Sequence, residues 1–228
     1  MKGYFITATD TDAGKTFVSA ALLAAAGQQG LRTAALKPVA AGAVHTAAGW
    51  RNDDALRLMA AANTPFPYHW VNPVCLEPAI APHIAARDEG VELSAERVKE
   101  ACRPVLESDI DWLLVEGAGG WRVPLNAQET VADLARAFGF PVILVVAMRL
   151  GCINHALLSA EAILADGLEL AGWVANSPSP LMARYGDNIE TLKQHLDAPL
   201  LGEVPHLPGA APQGGHAQAA RFLRLPPD

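Results

Sequence analysis

The chain of 228 residues is long enough for one substantial hydrophobic core, since 51% of its residues are hydrophobic and only 18% are charged. This composition excludes an intrinsically disordered protein, and the net charge of −7 argues against nucleic acid or an anionic membrane as the main partner. The first residues have no apolar signal region, and no apolar run is long enough to span a bilayer. The three cysteines form no C-x-x-C pair. We therefore expect a cytoplasmic protein with reduced thiols.

Six short apolar segments are predicted to be strands, and helices are predicted between them. Most of these segments are uninterrupted apolar runs, which are typical of parallel strands covered on both faces. The strands are predicted at residues 3–7, 33–38, 112–116, 141–148, 168–175 and 200–204, and the helices at 15–29, 53–62, 94–108, 130–138, 153–166 and 185–196. This alternation predicts one α/β domain over residues 1–228, with a doubly wound, mostly parallel sheet and helices on both faces.

Local signals support two of the helix ends. Thr130 and Asp133 have the spacing of a capping box, and Gly167 follows a predicted helix where glycine is favoured. Residues 41–52 and 65–82, rich in Ala, Gly and Pro, are expected to form long loops or short additional helices. The tail at 205–227 is expected to be a loop that ends in one short helix.

The segment ATDTDAGKT (residues 8–16) lies between the first predicted strand and the first helix, which is the layout of a phosphate-binding P-loop. Lys15 would place a positive charge on the outer phosphates, and the Thr16 hydroxyl could ligate Mg²⁺. The spacing departs from G-x-x-x-x-G-K-[ST], because Thr9 stands at the position of the first glycine and Ala8 precedes it. The context still favours a P-loop NTPase-like domain that uses ATP or GTP.

Two charged residues end predicted strands. The strand that ends at Lys37 is expected to lie beside the first strand, so Lys37 would bring a second cation to the edge of the sheet that carries the P-loop, although an isolated lysine there is often only solvated. Glu116 suits a Walker-B-like Mg²⁺ ligand, and the glycine-rich residues 117–120 would let backbone amides approach an anion, unless the turn merely needs glycine.

Further polar residues are ambiguous on their own. Asp53 and Asp54 could cap a helix or bind a metal, and Asn176 could be a turn residue or could bind the edge of a nucleobase. All of them lie at predicted carboxyl ends of parallel strands or in the loops that follow, where α/β proteins usually build their sites.

Seven segments spread over most of the chain together match the motifs of one enzyme family. They are residues 5–16 (FITATDTDAGKT), 36–40 (LKPVA), 51–56 (RNDDAL), 82–83 (PH), 115–121 (VEGAGGW), 150–155 (LGCINH) and 170–176 (LAGWVAN). The P-loop and EGAGG segments are shared with other ATP-dependent ligases, whereas GCINH and GWVAN are more specific. In this combination the chain resembles the dethiobiotin synthetases.

The resemblance implies a homodimeric ATP-dependent cyclo-ligase of biotin biosynthesis, which would use Mg²⁺, ATP, CO₂ or bicarbonate, and 7,8-diaminononanoate. One amine and CO₂ would give a carbamate, ATP would convert it to a carbamic–phosphoric mixed anhydride, and the second amine would close the ring with release of phosphate. Phosphoryl transfer of this kind needs positioning and charge neutralisation rather than a covalent nucleophile, so Cys152 is expected to serve packing.

The resemblance also assigns residue roles. Lys15 and Lys37 would bind phosphates, with Lys37 as the catalytic cation, and Mg²⁺ would be held by Thr16, Asp54 and Glu116. The substrate contacts would come from Lys37, Ala41, Gly119 and, across the dimer interface, Asn154. The nucleotide-binding residues would be Asp12, Ala13, Gly14, Lys15, Thr16, Phe17, Asp54, Glu116, Gly117, Ala118, Gly119, Asn176, Pro205, His206 and Leu207, the last four on the adenine side.

Two departures from the family pattern lie near the expected site. Ala8 replaces a usual glycine, so position 8 must have a negative φ or room for a methyl group. Ala41 stands where many members have Ser or Thr, and one lost hydrogen bond of that kind costs about 0.5–1.5 kcal/mol.

Two alternative functions fit the sequence less well than the synthetase. A ligase of the cobyrinate-diamide-synthase kind normally carries an added glutaminase domain, for which this chain has no room. A partition or positioning ATPase normally has an additional lysine at the start of the loop, where Ala8 and Thr9 stand.

Overall fold

The computed structural model describes residues 1–207 and 215–227. Its strands in these residues are β1 (Lys2–Ala8), β2 (Thr33–Leu36), β3 (Val39–Ala41), β4 (Val44–Thr46), β5 (Gly49–Arg51), β6 (Val74–Leu76), β7 (Trp112–Glu116), β8 (Val142–Ala147), β9 (Leu170–Asn176) and β10 (Leu200–Val204). Its helices there are α1 (Lys15–Gln28), α2 (Asp53–Ala61), α3 (Tyr68–Val71), α4 (Pro82–Glu89), α5 (Ala95–Ala101), α6 (Arg103–Leu106), α7 (Val131–Phe138), α8 (Cys152–Ala165), α9 (Tyr185–His195) and α10 (Gly215–Ala219), followed by a 3₁₀-helix at Ala220–Phe222. No helix in the described residues is long and apolar enough to cross a membrane.

A six-stranded parallel sheet in the order β10-β9-β8-β1-β7-β2 forms the centre of the molecule. Strand order reverses at β1, so the loop that follows β1 lies at the switch point where open α/β sheets bind ligands. Helices α1, α2 and α10 cover one face, and α5, α7, α8 and α9 cover the other. The predicted fold class, a doubly wound parallel sheet with helices on both faces, is confirmed. The expectation that the second strand lies beside the first is wrong, because β7 lies between β1 and β2.

Burial on both faces explains why the strands are almost uniformly apolar. Along β1, the side chains of Tyr4 and Ile6 pack against α1, whereas Phe5 packs into the opposite layer. The sequence alternation that marks a half-exposed strand is therefore absent from the central strands. The capping box at Thr130 and Asp133 and the left-handed glycine at Gly167 are also confirmed.

Most predicted elements agree with the observed ones to within two residues, and two differ for a clear physical reason. The helix predicted at 94–108 is wrong as a single element, because α5 ends at Ala101 and α6 restarts at Arg103, with Pro104 in its first turn. Proline has no N–H with which to continue the hydrogen bonds of α5, which accounts for the break. The strand predicted at 33–38 ends at Leu36, since the Lys37 N–H donates outside the sheet, to the carbonyl of Val71.

The residues expected to be loops contain more structure than predicted. Strands β4 and β5 form an antiparallel hairpin within 41–52, and β3 pairs in parallel with β6, which lies within 65–82. Helix α4 follows at Pro82, where no helix was predicted. In the tail, the short helix α10 agrees with the prediction, while the predicted loop at 208–214 lies outside the described residues.

Both outer strands of the sheet are hydrogen-bonded on their outward side. At β10, Gly202 bridges Leu223, and Arg224 donates through its backbone N–H to the Leu201 carbonyl and through its guanidinium to that of Leu200. At β2, the Thr33 N–H donates to the Asn63 side-chain oxygen, and the Thr33 carbonyl accepts from the Thr64 N–H.

Candidate active site

The loop between β1 and α1 has the backbone of a phosphate-binding turn. Asp12 and Gly14 have positive φ angles of 59° and 85°, and α1 begins directly after Gly14. Ala8 is the last residue of β1, has a negative φ and is buried, so the fold accommodates its methyl group. The departure from the family glycine therefore causes no backbone strain at position 8.

Asn176, at the end of β9, lies directly beneath this loop. Its side-chain amide donates to the Ala13 carbonyl at 2.8 Å, and the residue is only 3% exposed. A Cβ atom added to Gly14 would lie 2.2 Å from the Asn176 Nδ2 atom. Glycine is thus required at position 14 by its left-handed backbone and by this close contact.

The carboxylate of Glu116 is the centre of a buried hydrogen-bond network. Oε1 accepts from Thr16 Oγ1 at 2.8 Å and from Lys37 Nζ at 2.7 Å, and Oε2 accepts from Ser19 Oγ at 2.7 Å. The end of β7, the end of β2 and the first turn of α1 therefore meet at one point, as expected for carboxyl ends of neighbouring parallel strands.

Lys37 lies between two carboxylates. Its ammonium is 2.7 Å from Glu116, 3.4 Å from the Asp54 Oδ2 atom and 3.2 Å from the Gly117 carbonyl. Burial alone would lower the pKa of Lys37, but Glu116 and Asp54 outweigh it and raise the pKa above the ordinary lysine value. Burial would likewise raise the pKa of Asp54, but Lys37 and the Thr16 hydroxyl bring that pKa below its ordinary value.

Lys15 has a different electrostatic setting from Lys37. Burial, followed by repulsion from Lys37, lowers the pKa of Lys15 below the ordinary lysine value. Its side chain is buried, and no carboxylate of residues 1–207 or 215–227 lies within salt-bridge distance of it, so an anion in the cleft would relieve an unfavourable buried charge.

Ser19 was not predicted, because a serine inside an apolar helix gives no sign of a role. It lies one turn after Thr16 on the same face of α1, and this spacing is the only sequence signal that points to it.

We expect Ser19→Ala to lower the free energy of unfolding by about 1–3 kcal/mol, because it leaves Glu116 Oε2 without its buried donor. Urea denaturation measures the change. Ser159→Ala is the matched control, since the exposed Ser159 hydroxyl donates only to its own helix, at the His155 carbonyl. Equal effects of the two substitutions would contradict the role of Ser19.

A cleft of about 760 Å³ opens beside the network. Ten of the predicted site residues line it: Asp12, Gly14, Lys15, Thr16, Phe17, Lys37, Ala41, Asp54, Ala118 and Gly119. Ala13, Glu116, Gly117 and Asn176 are buried beneath it. Asn154 is exposed in the first turn of α8, and the half-buried residues 205–207 follow β10, so these four are not brought into the lining.

The oxygen atoms at the cleft are suited to Mg²⁺. No three His, Cys, Asp or Glu side chains converge on a metal site anywhere in residues 1–207 or 215–227. However, the Thr16 hydroxyl donates to Glu116, and Asp54 lies close to that hydroxyl and to Lys37, which brings one hydroxyl and two carboxylates together. Mg²⁺ commonly binds one or two carboxylates together with substrate phosphates, so this set is chemically sufficient.

Solved structures with similar folds are P-loop proteins of other functions. The septum site-determining protein MinD from Pyrococcus horikoshii has a TM-score of 0.59 at 16% identity, covering 96% of this chain and 92% of that one. The signal recognition particle receptor FtsY from Elizabethkingia anophelis has a TM-score of 0.58 at 14% identity, covering 98% and 62%. At such low identity these matches establish the fold alone.

Sequence comparison identifies the family. Residues 2–213 match the family model described as an AAA domain. The ATP-dependent dethiobiotin synthetase BioD of Pseudomonas paraeruginosa is 56% identical over 100% of this chain and 98% of its own length, and that of Cellvibrio japonicus is 56% identical over 95% and 94%. The synthetase of Aromatoleum aromaticum is 52% identical over 99% and 98%. The chain therefore belongs to the ATP-dependent dethiobiotin synthetase family.

Proposed function

We propose that this protein converts 7,8-diaminononanoate, CO₂ and ATP into dethiobiotin, ADP and phosphate, as a cytoplasmic enzyme whose residues 1–228 act as one catalytic domain. The observation that carries the proposal is the buried contact of Lys37 with Glu116, placed against Thr16 of the P-loop. Full-length identity to named synthetases supports the reaction, and the reduced cysteines of the described residues agree with a cytoplasmic location.

Thr16, Asp54 and Glu116 would hold Mg²⁺, which when bound would neutralise phosphate charge and orient the outer phosphates. Lys15 and the amides of the loop before α1 would bind the nucleotide phosphates. Asn176 and the turn of Pro205, His206 and Leu207 would lie on the adenine side. Asn176 would then contact the base while its side-chain amide also donates to the Ala13 carbonyl.

Lys37 would stabilise the charge that develops when the carbamate oxygen is phosphorylated. In the structure its ammonium is hydrogen-bonded to Glu116 and close to Asp54, the two carboxylates assigned to the metal. A cation at those oxygens would compete with the ammonium for them, so Lys37 would turn to the phosphate. Gly119 and Ala41 line the cleft on the side proposed for the diamine, where no base or nucleophile is needed once the anhydride has formed.

A homodimer would place Asn154 at the partner's substrate. Asn154 lies at the start of α8, where the helix dipole favours a carboxylate. On the same helix surface Leu158 is 57% exposed, and Leu150 in the preceding loop is 94% exposed. Exposed apolar side chains of this kind are typical of an interaction surface, and a second copy would cover them.

Mixing two inactive variants tests this shared site. Lys37→Ala and Asn154→Ala are each expected to be nearly inactive, whereas subunits exchanged between them should recover activity, because a mixed dimer has one site with both native residues. Turnover is measured before and after exchange. If exchanged dimers stay inactive while each variant folds and dimerises, Asn154 does not act across the interface.

The proposed reaction is tested with purified protein, 7,8-diaminononanoate, bicarbonate and MgATP. Mass spectrometry should detect the cyclic urea, and phosphate release should require the diamine. Absence of the cyclic urea, or phosphate release independent of the diamine, would refute the function.

A further inference from the structure

Arg57 is a cation of the cleft that no motif assigns. It lies in α2, one turn after Asp54, and lines the 760 Å³ cleft together with Lys15 and Thr16. It also borders a second cavity of about 360 Å³ between α1 and α2. The Arg57 side chain therefore lies between the two cavities, next to α1.

The hydrogen bonds of Arg57 are incomplete. One terminal nitrogen contacts the Asp53 Oδ2 atom at 2.5 Å, and the Asp53 side chain is 73% exposed. The Nε atom is buried and, among the described residues, has no hydrogen-bond partner. An exposed pair four residues apart on a helix contributes little to stability, whereas a buried donor without an acceptor is unfavourable.

An ordinary surface pair would explain the contact with Asp53 but not the orphaned Nε. Nε and a terminal nitrogen of an arginine form a planar fork that matches two oxygens of one phosphate. A polyphosphate chain is the acceptor for which the neighbouring Lys15 and Thr16 are already arranged.

We propose that Arg57 binds the phosphate chain of the nucleotide and that it exchanges Asp53 for phosphate when the nucleotide enters. This inference rests on the proposed function only in that a nucleotide occupies the cleft. Asp53, unlike Asp54, then acts as a competitor of the nucleotide for the same guanidinium.

Calorimetric titration of the full-length protein with MgATP tests the contact. Arg57→Gln should raise the Kd about tenfold or more, since a charge-assisted fork is lost, and Arg57→Lys should show an intermediate increase. Arg103→Gln is the matched control, because Arg103 also pairs with a helical carboxylate, Glu100, but lies away from the cleft. Unchanged MgATP affinity in folded Arg57→Gln would overturn the proposal; if that variant does not fold, unchanged affinity in Arg57→Lys has the same meaning.

A double-mutant cycle tests the exchange. Asp53→Asn should tighten MgATP binding several-fold, and the gain should disappear when Arg57 is already glutamine. An equal gain in both backgrounds would mean that Asp53 acts only through net charge, and weaker binding would mean that it does not compete; either result overturns the exchange. Binding is measured without turnover, so these outcomes are separate from failure to form the cyclic urea.

Discussion

Turnover is expected to fall about 10²- to 10³-fold when Lys37 is replaced by alanine, the range found when one preorganised stabilising donor is removed from an active site. The ammonium is buried beside two carboxylates, which hold it protonated well into alkaline solution by raising its pKa. Neither Lys15 nor Arg57 takes its place, because both are assigned to the nucleotide phosphates in the proposed site.

Stability must be separated from catalysis in this test. Removing one member of a buried ion pair costs about 3–5 kcal/mol, so Lys37→Ala could lose activity by unfolding. Lys37→Gln is the better-matched variant, because its amide can still donate to Glu116. Thermal unfolding and MgATP binding establish that the variant is folded, and a folded Lys37→Gln with native kcat would remove Lys37 from the mechanism.

Nucleotide binding is expected to weaken about 30- to 200-fold in Gly14→Ala. The left-handed backbone costs an alanine about 1–2 kcal/mol, and the new methyl group, 2.2 Å from Asn176 Nδ2, breaks the hydrogen bond from Asn176 to Ala13, worth about 1 kcal/mol. The loop must then move away from the shape that presents its amides to phosphate. Calorimetric titration with MgATP measures the loss.

Gly30→Ala is the control for backbone strain. Gly30 has a φ of 83°, almost the same as Gly14, but a Cβ atom there meets nothing within 4 Å. The Gly30→Ala variant should therefore lose stability without losing MgATP affinity. If both substitutions leave MgATP affinity unchanged, the contact between Gly14 and Asn176 does not shape the loop.

The sequence predicted where the site residues lie in the sheet better than it predicted the hydrogen bonds between them. Lys37 and Glu116 were predicted at strand ends on one edge of the sheet, because uninterrupted apolar runs mark parallel strands whose carboxyl ends share an edge. The contact of Asn176 with Ala13 was not predicted, since a side-chain amide gives no indication of which backbone carbonyl lies above it. The contact of Ser19 with Glu116 was not predicted either, because a serine within an apolar helix gives no indication of its partner.

The three-residue strands were not predicted, because their sequences give no local signal of a strand. Strands β3 to β6 lie in stretches rich in Ala, Gly and Pro, where neither β propensity nor periodicity gives a signal. Their conformation is fixed by tertiary contacts, such as the Asn52 side chain that caps α2 and donates to the Ala41 carbonyl. These tertiary contacts, and not a sequence motif, place Ala41 at the cleft.

The occupied outer strands restrict how copies of this protein can associate. The C-terminal residues Leu223 and Arg224 use the outward hydrogen-bonding groups of β10, and Asn63 and Thr64 use those of Thr33 in β2. A second chain therefore finds these groups already paired and cannot extend the sheet there by adding a strand, which is the usual route to aggregation and strand exchange. Self-association must instead use other surfaces than these paired groups, and shortening the chain before Leu223 would expose β10 as a template for aggregation.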